Sequence, residues 1–517
     1  MPHITLFKIS TTIIGLLCLR LFVALNFPLT NDEAYYWDWG RFPLLSYLDH
    51  PTGVGIQSYL SQKIVSTGNL SARILCPFIQ IFTSLFMGFA AYEYSRQRQS
   101  SSPQAWFAFI CASMLCQSSL YLSGIGIFIL PDTGLMLGLS VAVLACVHLS
   151  NEERKDPKKT VWSFYALLGL GLGAASLFKY HGLMIGLSMI GSLALFKFRR
   201  KKIYDAVLGS LLAISVMTLG FLPVILWNIE HQGASLRFQG SHTLAWNTLH
   251  FYSGLRMSLA IPLLFGPLLV FQTWNLLTKK SWFTGSSQDS VFALAQGLVI
   301  LFFCINAFFT ESLPHWVAPA MVLSIPFASY QMSRGHVRFY KLQLSIFAIL
   351  GVATPLFFSI PKIRENLYDR LPALKEALWE ISIWPELAKL DTLKTDELSP
   401  VKFTLCPQNL FATTRWYWSA QMAFHLDKQP RVINLDHTRA SYYWFRDNLV
   451  DLKGCPAKLI ASKDQYNPKA IAKFATVVSE QHFTIEDFKK MPLVLAEIII
   501  DQPEAFIEQM QSTNFKY

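Results

Sequence analysis

The segment Asn31-Asp32-Glu33-Ala34-Tyr35-Tyr36-Trp37 follows an apolar stretch, residues 10–28, that is long enough to cross a bilayer. A second polar cluster, Tyr47-Leu48-Asp49-His50-Pro51, closes the same loop. Carboxylates and a histidine beside the end of a membrane span are costly to place there, so they usually mark a site. The two clusters together favour a functional site at the membrane surface over a loop whose acids only stay hydrated.

The composition is typical of a membrane protein that crosses the bilayer many times. Of the 517 residues, 52% are hydrophobic and 15% are charged, which is too apolar for an ordinary soluble enzyme of this length. Eleven segments are long and apolar enough to be membrane spans. We predict these spans at residues 10–28, 71–92, 104–122, 131–149, 160–178, 181–197, 204–226, 254–275, 290–309, 315–331 and 338–358.

The net charge of +11 indicates orientation in the membrane. All of it belongs to residues 1–360, whereas residues 361–517 contain 20 basic and 20 acidic residues. Sixteen basic residues lie in alternate connections between the predicted spans, and four lie in the opposite ones. The positive-inside rule therefore places the N-terminus in the cytoplasm and the loop 29–70 outside. No basic patch with interleaved aromatic residues indicates a nucleic-acid partner.

The acidic residues of the membrane part are also unevenly distributed. Cytoplasmic acids such as Asp289 lie among basic loops and are interpreted as solvated charge. A channel or transporter would be expected to carry acids within its spans, and these spans are almost free of them. The distribution favours chemistry at the outer surface, with a lipid or polysaccharide flippase as the alternative class. The acids predicted on the external face are Asp32, Glu33, Asp38, Asp49, Asp132, Glu230 and Glu311.

Two domains are predicted: a transmembrane domain at residues 1–360, and an extramembrane domain at residues 361–517. In the second domain, short β-rich runs alternate with helix-like stretches, which predicts a small α/β fold. Cys406 and Cys455 lie there and could pair in an oxidising compartment. The predicted strands are Val401–Leu405, Arg431–Leu435, Lys458–Ala461, Ala475–Val478 and Leu493–Ile500.

The two clusters of the first loop resemble those of GT-C glycosyltransferases, in particular the bacterial protein mannosyltransferases. Further motifs of that family follow in the same order along nearly the whole chain. The lipid A aminoarabinose transferases are related to the same family. These motifs are Arg73, Pro131-Asp132-Thr133, Ser176-Leu177-Phe178-Lys179-Tyr180-His181, the segment 223–233 with Ser235-Leu236-Arg237-Phe238-Gln239, Leu313-Pro314-His315-Trp316-Val317-Ala318-Pro319, and Arg415-Trp416-Tyr417-Trp418-Ser419-Ala420 with Ser441-Tyr442-Tyr443-Trp444-Phe445.

The resemblance implies a GT-C membrane fold of about eleven transmembrane helices and a multi-pass protein of the bacterial inner membrane. It implies transfer of a hexose or pentose from a polyprenyl-phosphate donor, such as undecaprenyl phosphate, with inversion at the anomeric carbon. The implied acceptor is lipid A, another lipid-linked envelope glycan or a protein, with the site and the C-terminal domain facing the periplasm. Such a reaction needs a carboxylate to take a proton and a cation to stabilise the departing phosphodiester.

The resemblance assigns the role of catalytic base to Asp32, the first residue of the Asp-Glu pair. Glu33 would position the acceptor or hold the loop together, and the alternative is a carboxylate that only stabilises a helix start. Lys179 lies on a short external turn with no acid beside it in the sequence. It would bind the donor phosphate, and the alternative is a lysine that extends its charge to the membrane interface.

The other candidate substrate-binding residues carry alternatives as well. His50 stands where the aminoarabinose transferases have a lysine, and a histidine binds phosphate as a cation only when protonated, so hydrogen bonding is expected. Asp49 could bind a divalent metal together with His50 or a more distant histidine, although no metal-ligand spacing is present. No other cofactor is implied. Asp132 suits either a site or a helix start. The remaining candidates are Tyr36, Arg73, Tyr180, His231, Arg237 and His315.

Reporter fusions test the predicted topology. A reporter that is active only outside the cytoplasm should be active after Phe358, and a cytoplasmic reporter should be active after Arg98 or Lys202. The physical reason is the segregation of basic residues described above. The opposite pattern at either place would remove the loop 29–70 from the external face.

Overall fold

The computed structural model describes residues 3–151, 162–243, 249–279, 287–310, 312–335, 337–371, 375–390, 406–407, 410–436, 441–485 and 491–514. The predicted strand Val401–Leu405 and the predicted external acid Glu311 lie outside these residues. The chain divides into two compact units. The first unit comprises Met1–Leu25, His50–Gln57 and Arg73–Leu356, and the second comprises Asn26–Asp49, Ser58–Ala72 and Phe357–Tyr517.

Helices make up nearly all of the regular structure up to residue 359. Short π or 3-10 segments occur at Asp205–Gly209, Pro314–Val317 and Val322–Ser324. In chain order the α-helices are α1 (His3–Asn26), α2 (Asn31–Arg41), α3 (Gly53–Ile64), α4 (Leu70–Arg73), α5 (Cys76–Arg96), α6 (Ser102–Leu115), α7 (Leu120–Gly124), α8 (Pro131–Leu149), α9 (Trp162–Phe178), α10 (His181–Arg199), α11 (Ser210–Glu230), α12 (Ala234–Thr243), α13 (Phe251–Phe265), α14 (Pro267–Leu277), α15 (Gln288–Asn306), α16 (Ala318–Met321), α17 (Ile325–Ser333) and α18 (Val337–Ser359).

The prediction of a multi-pass helical protein is confirmed, but the number of spans is not. Among the described residues, five helices are long and apolar enough to cross a membrane, or up to seven if two interrupted helix pairs each count as one span. One such pair, α13 and α14, bends by 110° at Gly266, whose φ of 83° is a conformation that favours glycine. The count of eleven stays a prediction. The five helices are Leu70–Arg96, Pro131–Leu149, His181–Arg199, Asp205–Glu230 and Gln288–Asn306.

A close contact between α8 and α9 organises the core of the first unit. A Cβ atom on Gly138 would lie 2.5 Å from the Gly171 carbonyl oxygen, and one on Gly171 would lie 2.7 Å from the Ala142 nitrogen. Because these two positions have no side chain, the backbones can approach as small residues allow in membrane helix pairs. The helices run antiparallel, so the first turn of α8 and the last turn of α9 lie at the same end of the pair.

Asp289, in the first turn of α15, is buried in the first unit with an exposed fraction of 8%. Its carboxylate accepts a hydrogen bond from the Tyr94 hydroxyl and forms ion pairs with Arg98 and with Lys279, the latter at 2.8 Å. The interpretation of Asp289 as solvated charge is therefore wrong. Tyr94 and Arg98 are 195 and 191 positions away in the chain, and local charge patterns do not reveal such partners.

The second unit contains a five-stranded sheet, as expected for the α/β region. Its strands are ordered β2-β1-β3-β5-β4; β1 is parallel to β2 and β3, and β5 is antiparallel to β3 and β4. The strands are β1 (Phe411–Thr413), β2 (Val432–Asn434), β3 (Pro456–Ser462), β4 (Ala475–Ile485) and β5 (Met491–Ile500). Its later helices are α19 (Pro361–Arg370), α20 (Lys375–Leu387), α21 (Trp416–His425), α22 (Tyr443–Arg446), α23 (Pro468–Ile471) and α24 (Pro503–Asn514), with a 3-10 turn at Leu449–Leu452.

A disulfide joins Cys406 to Cys455 in the second unit. Their Cα atoms are 5.4 Å apart, and the two residues are separated by 49 positions in the chain. Cys455 directly precedes β3 and is buried in the core of the sheet. The pairing that the sequence left open is therefore present in the structure.

The double change Cys406→Ser with Cys455→Ser should lower the free energy of unfolding of the second unit by about 4 kcal/mol. The bond closes a loop of roughly 50 residues, and cutting it returns that conformational entropy to the unfolded chain. Pulse proteolysis in increasing denaturant would measure the change, with Cys18→Ser, a free and exposed cysteine, as control. An unchanged midpoint, or alkylation of Cys406 and Cys455 without reductant, would contradict the expectation.

Candidate active site

A buried ion pair lies in the first unit. The Lys179 Nζ atom is 2.9 Å from each carboxylate oxygen of Asp132, and both side chains are 5% exposed. The Tyr121 hydroxyl donates a hydrogen bond to Asp132 Oδ1 at 2.5 Å. Because burying two charges is expensive, such a pair is tolerated only when both charges are well hydrogen-bonded. The contacts of Asp132 meet this requirement.

Helix ends place the two charges of this pair. Asp132 lies in the first turn of α8, where free N–H groups favour a carboxylate. Lys179 follows the last residue of α9, where free carbonyl groups favour a cation. The close approach of α8 and α9 then joins two residues that are 47 positions apart. Lys179 has no acid beside it in the sequence, so its partner becomes apparent only in the tertiary structure.

Two predicted histidines belong to the same group. The His315 ring stacks on Tyr121 with ring centroids 6.1 Å apart, and the charges of Lys179 and Asp132 act on both His315 and His50. Burial, followed by the nearby positive charge of Lys179, lowers the pKa of His50 to about 3. His50 is therefore neutral at neutral pH, which suits a hydrogen-bonding role and not a cationic one.

Two members of this group, Tyr121 and His181, were not predicted as site residues. The His181 ring stacks on Phe303 with centroids 4.9 Å apart, and the charges of Lys179 and Asp132 reach it. Its Nε2 atom is buried without a hydrogen-bond partner among the residues described. The position of His181 two residues after Lys179 was a usable signal. Tyr121 offered none, because a tyrosine in an apolar segment is more often core packing.

Three other candidates lie at the junction of α11 and α12. The Tyr180 hydroxyl is hydrogen-bonded to Ser235, whose own hydroxyl lies 3.1 Å from Asn228 Oδ1. His231 Nδ1 lies 2.8 Å from the Trp227 carbonyl oxygen. Arg237 is exposed on α12. An apolar cavity of about 220 Å³ adjoins this junction, and it is lined by Phe221, Val224, Ile225, Asn228, Ile229, Gly233 and Leu236.

Arg73 is fully buried in the first unit. Its Nη1 atom donates a hydrogen bond to the Ala24 carbonyl oxygen at 3.2 Å, and its guanidinium carbon lies 5.2 Å from the centre of the Phe128 ring. These contacts join the end of α4 to α1 and to the segment before α8. They give Arg73 a packing position, and its role toward a substrate stays a prediction.

The second unit holds Asp32 and Glu33 in the first turn of α2. This helix begins with a capping box, in which the Glu33 nitrogen donates to Thr30 Oγ1 at 3.4 Å and the Thr30 nitrogen donates to Glu33 Oε2 at 3.1 Å. Glu33 is fully buried, so its carboxylate serves the helix start, the alternative that the sequence left open. Asp32, beside it, is exposed. A substrate role for either residue stays a prediction.

Tyr36 and Asp49 belong to the same unit. Tyr36 is buried, with its ring edge-on to Trp39 at 5.0 Å. Asp49 accepts a hydrogen bond from the Tyr35 hydroxyl at 2.7 Å, which ties the end of the loop to α2. Within the described part of the chain, no group of three or more His, Cys, Asp or Glu side chains has the arrangement of a metal site.

The fold is that of the GT-C glycosyltransferases, and the resemblance found in the sequence is confirmed. The crystal structure of ArnT from Cupriavidus metallidurans in the apo state matches 95% of this chain and 98% of its own, with a TM-score of 0.61 and 14% identity. ArnT bound to undecaprenyl phosphate matches 94% and 98%, with a TM-score of 0.60 and 14% identity.

The chain is also similar in sequence to a glycosyltransferase. The chain is 23% identical over 348 residues to the lipid A galacturonosyltransferase RgtD of Rhizobium johnstonii. The aligned region covers 66% of this chain and 68% of RgtD. No family model matches the chain.

Single changes in the buried ion pair should be more damaging than the double change. Lys179→Met leaves Asp132 as a buried charge without its partner, and Asp132→Asn does the same to Lys179. Each should destabilise the protein by about 3–5 kcal/mol, whereas the double variant should recover most of that loss. Thermal unfolding in detergent measures all three variants. A double variant as unstable as the sum of the singles would show that the two charges are not coupled.

Proposed function

We propose that the protein is a glycosyltransferase that moves a sugar from a polyprenyl-phosphate donor to an envelope acceptor on the periplasmic face of the inner membrane. The observation that carries the proposal is the buried pair of Lys179 and Asp132 at facing helix ends. Apolar residues of similar volume would often stabilise such a position as well or better. A retained ion pair therefore indicates a site that must handle charge, as a phosphodiester requires.

Lys179 is the proposed ligand of the donor phosphate. An ammonium group has three N–H donors, and two of them serve the carboxylate oxygens of Asp132. The third can bind a phosphate oxygen, while Asp132 holds the ammonium group in a fixed orientation. The rings of His50 and His315 would add hydrogen bonds to the phosphate. Charge-assisted bonds of this kind stabilise the negative charge that develops on the leaving phosphate.

Asp32 is the proposed base for the acceptor hydroxyl. The capping box holds the first turn of α2 and uses the carboxylate of Glu33 for that purpose. Asp32 is left on the exposed side of the same turn. The capping box is formed by Thr30 and Glu33, so the Asp32 carboxylate can take a proton without breaking the helix start. We therefore assign the base to Asp32 and a supporting role to Glu33.

The apolar cavity at the α11–α12 junction is the proposed place for part of the carrier lipid chain. Most of its lining is hydrocarbon, and Asn228 adds one polar group.

Lipid A is the first acceptor to test, and galacturonic acid is the first donor sugar to test, because RgtD is a lipid A galacturonosyltransferase. A protein or another lipid-linked glycan is the next acceptor to test.

The orientation is also part of the proposal. With a cytoplasmic N-terminus and the eleven predicted crossings, residues 361–517 lie in the periplasm. The disulfide between Cys406 and Cys455 supports this side, because such bonds persist in oxidising compartments and are rare in the cytoplasm.

Asp32→Asn should reduce sugar transfer by about two to four orders of magnitude, because the amide cannot accept the proton of the acceptor hydroxyl. Purified protein would be given undecaprenyl-phosphate galacturonic acid and lipid A, and donor consumption followed over time. Asp427→Asn, which removes another exposed carboxylate from the second unit, is the matched control and should transfer normally. A rate for Asp32→Asn near that of the wild type would remove Asp32 from catalysis. Wild-type protein that moves such lipids across vesicles without consuming any donor sugar would indicate the flippase.

A further inference from the structure

We propose that Gln421 is a positioning residue for the base: it fixes the first turn of α2 and thereby the place of Asp32. This inference rests on the proposed function, since it gives Gln421 a role through Asp32. All residues involved belong to the second unit, in which α2 and the C-terminal α/β region fold together.

The contacts of Gln421 meet the chain on both sides of the helix start. Gln421 lies on α21 and is fully buried. Its Nε2 atom donates to the Leu29 carbonyl oxygen at 3.1 Å and to Asn31 Oδ1, also at 3.1 Å. These two acceptors flank Thr30, the N-cap of α2. Asp32 is the next residue after Asn31, so one amide group is bonded to the residues that lead into the turn carrying the base.

The remainder of α2 is anchored to the same region by separate contacts. The Tyr35 hydroxyl accepts a hydrogen bond from the Tyr442 nitrogen at 2.9 Å. Asp38, which is fully buried, forms an ion pair with Arg446 at 2.8 Å and accepts a hydrogen bond from the Tyr442 hydroxyl. These anchors hold the middle and the end of the helix. Gln421 makes its contacts at the end where Asp32 lies.

The surroundings of Gln421 indicate that its side-chain N–H groups explain a polar residue at this buried position. Its neighbours Ala420, Met422 and Ala423 on α21 are apolar and buried. The Oε1 atom of Gln421 has no hydrogen-bond partner among the described residues, and leaving a buried polar atom unpaired is unfavourable. A methionine would fill the same space without that cost. The N–H groups directed at Leu29 and Asn31 offset it.

The test is Gln421→Met, which keeps the volume and removes both donors. Displacing a catalytic group by about 1 Å can cost up to 10²-fold in rate, so we expect kcat to fall by roughly 10- to 100-fold. KM for the donor should not change, because Gln421 has no part in the proposed phosphate binding. Met422→Leu, the matched change of an apolar neighbour, should leave kcat at the wild-type value.

A double-mutant cycle separates positioning from general stability. If Gln421 acts through Asp32, then Gln421→Met should cause no further loss of rate in a protein that already carries Asp32→Asn. A purely structural role would lower the rate by the same factor in both backgrounds, and that result would overturn the inference. So would a kcat for Gln421→Met within twofold of the wild type. The proposed function itself fails separately, if Asp32→Asn alone transfers sugar normally.

Asn31→Ala provides a second variant if Gln421→Met does not fold. It removes one acceptor of the Gln421 amide and leaves the buried core of α21 intact. We expect kcat to fall by roughly tenfold at unchanged donor KM, and again no further loss in combination with Asp32→Asn. Normal kcat in Asn31→Ala, with Gln421→Met unfolded, would contradict the proposal.

Discussion

The pairing of Lys179 with Asp132 is the interaction on which the candidate site of the helical unit depends. It combines two helix-end positions with the close contact at Gly138 and Gly171, and each part needs the others. Without the small residues the helix ends would separate, and without the second charge the first would be buried alone. The pair also acts on its surroundings, since burial, followed by the positive charge of Lys179, lowers the pKa of His50.

The second unit fixes the position of α2, a short and almost wholly buried helix. Ala34 through Gly40 of α2 are all buried. Because burial extends around the helix, it does not by itself fix the rotation of the helix about its axis. Directional contacts fix this rotation. They are the capping box at Glu33, the hydrogen bonds of the Gln421 amide, and the ion pair of Asp38 with Arg446. The α/β region thus acts as a support for the loop that carries Asp32.

The partners of Lys179 and Asp289 are hidden from sequence interpretation for one reason. Lys179 has no acid beside it in the sequence, and the interpretation of Asp289 as solvated charge is wrong. Both are buried and paired, with charged partners up to 191 positions away in the chain. Charge patterns along a sequence report neighbours within a few residues on one helix. The pairing of charges inside a helical bundle depends on which helices pack together, which the local pattern does not contain.

The sequence by itself indicated the membrane character, the approximate helices, the α/β nature of residues 361–517 and several residues of the candidate site, among them Asp132, Lys179 and His315. These follow from apolar length, periodicity and motif order, which are local properties of the chain. The tertiary structure decided the partners: the acid for Lys179, the capping use of Glu33, the inclusion of Tyr121 and His181, and the amide that holds the start of α2. A hydrogen bond or ion pair is defined by distances of about 3 Å, and only the packed chain sets those distances.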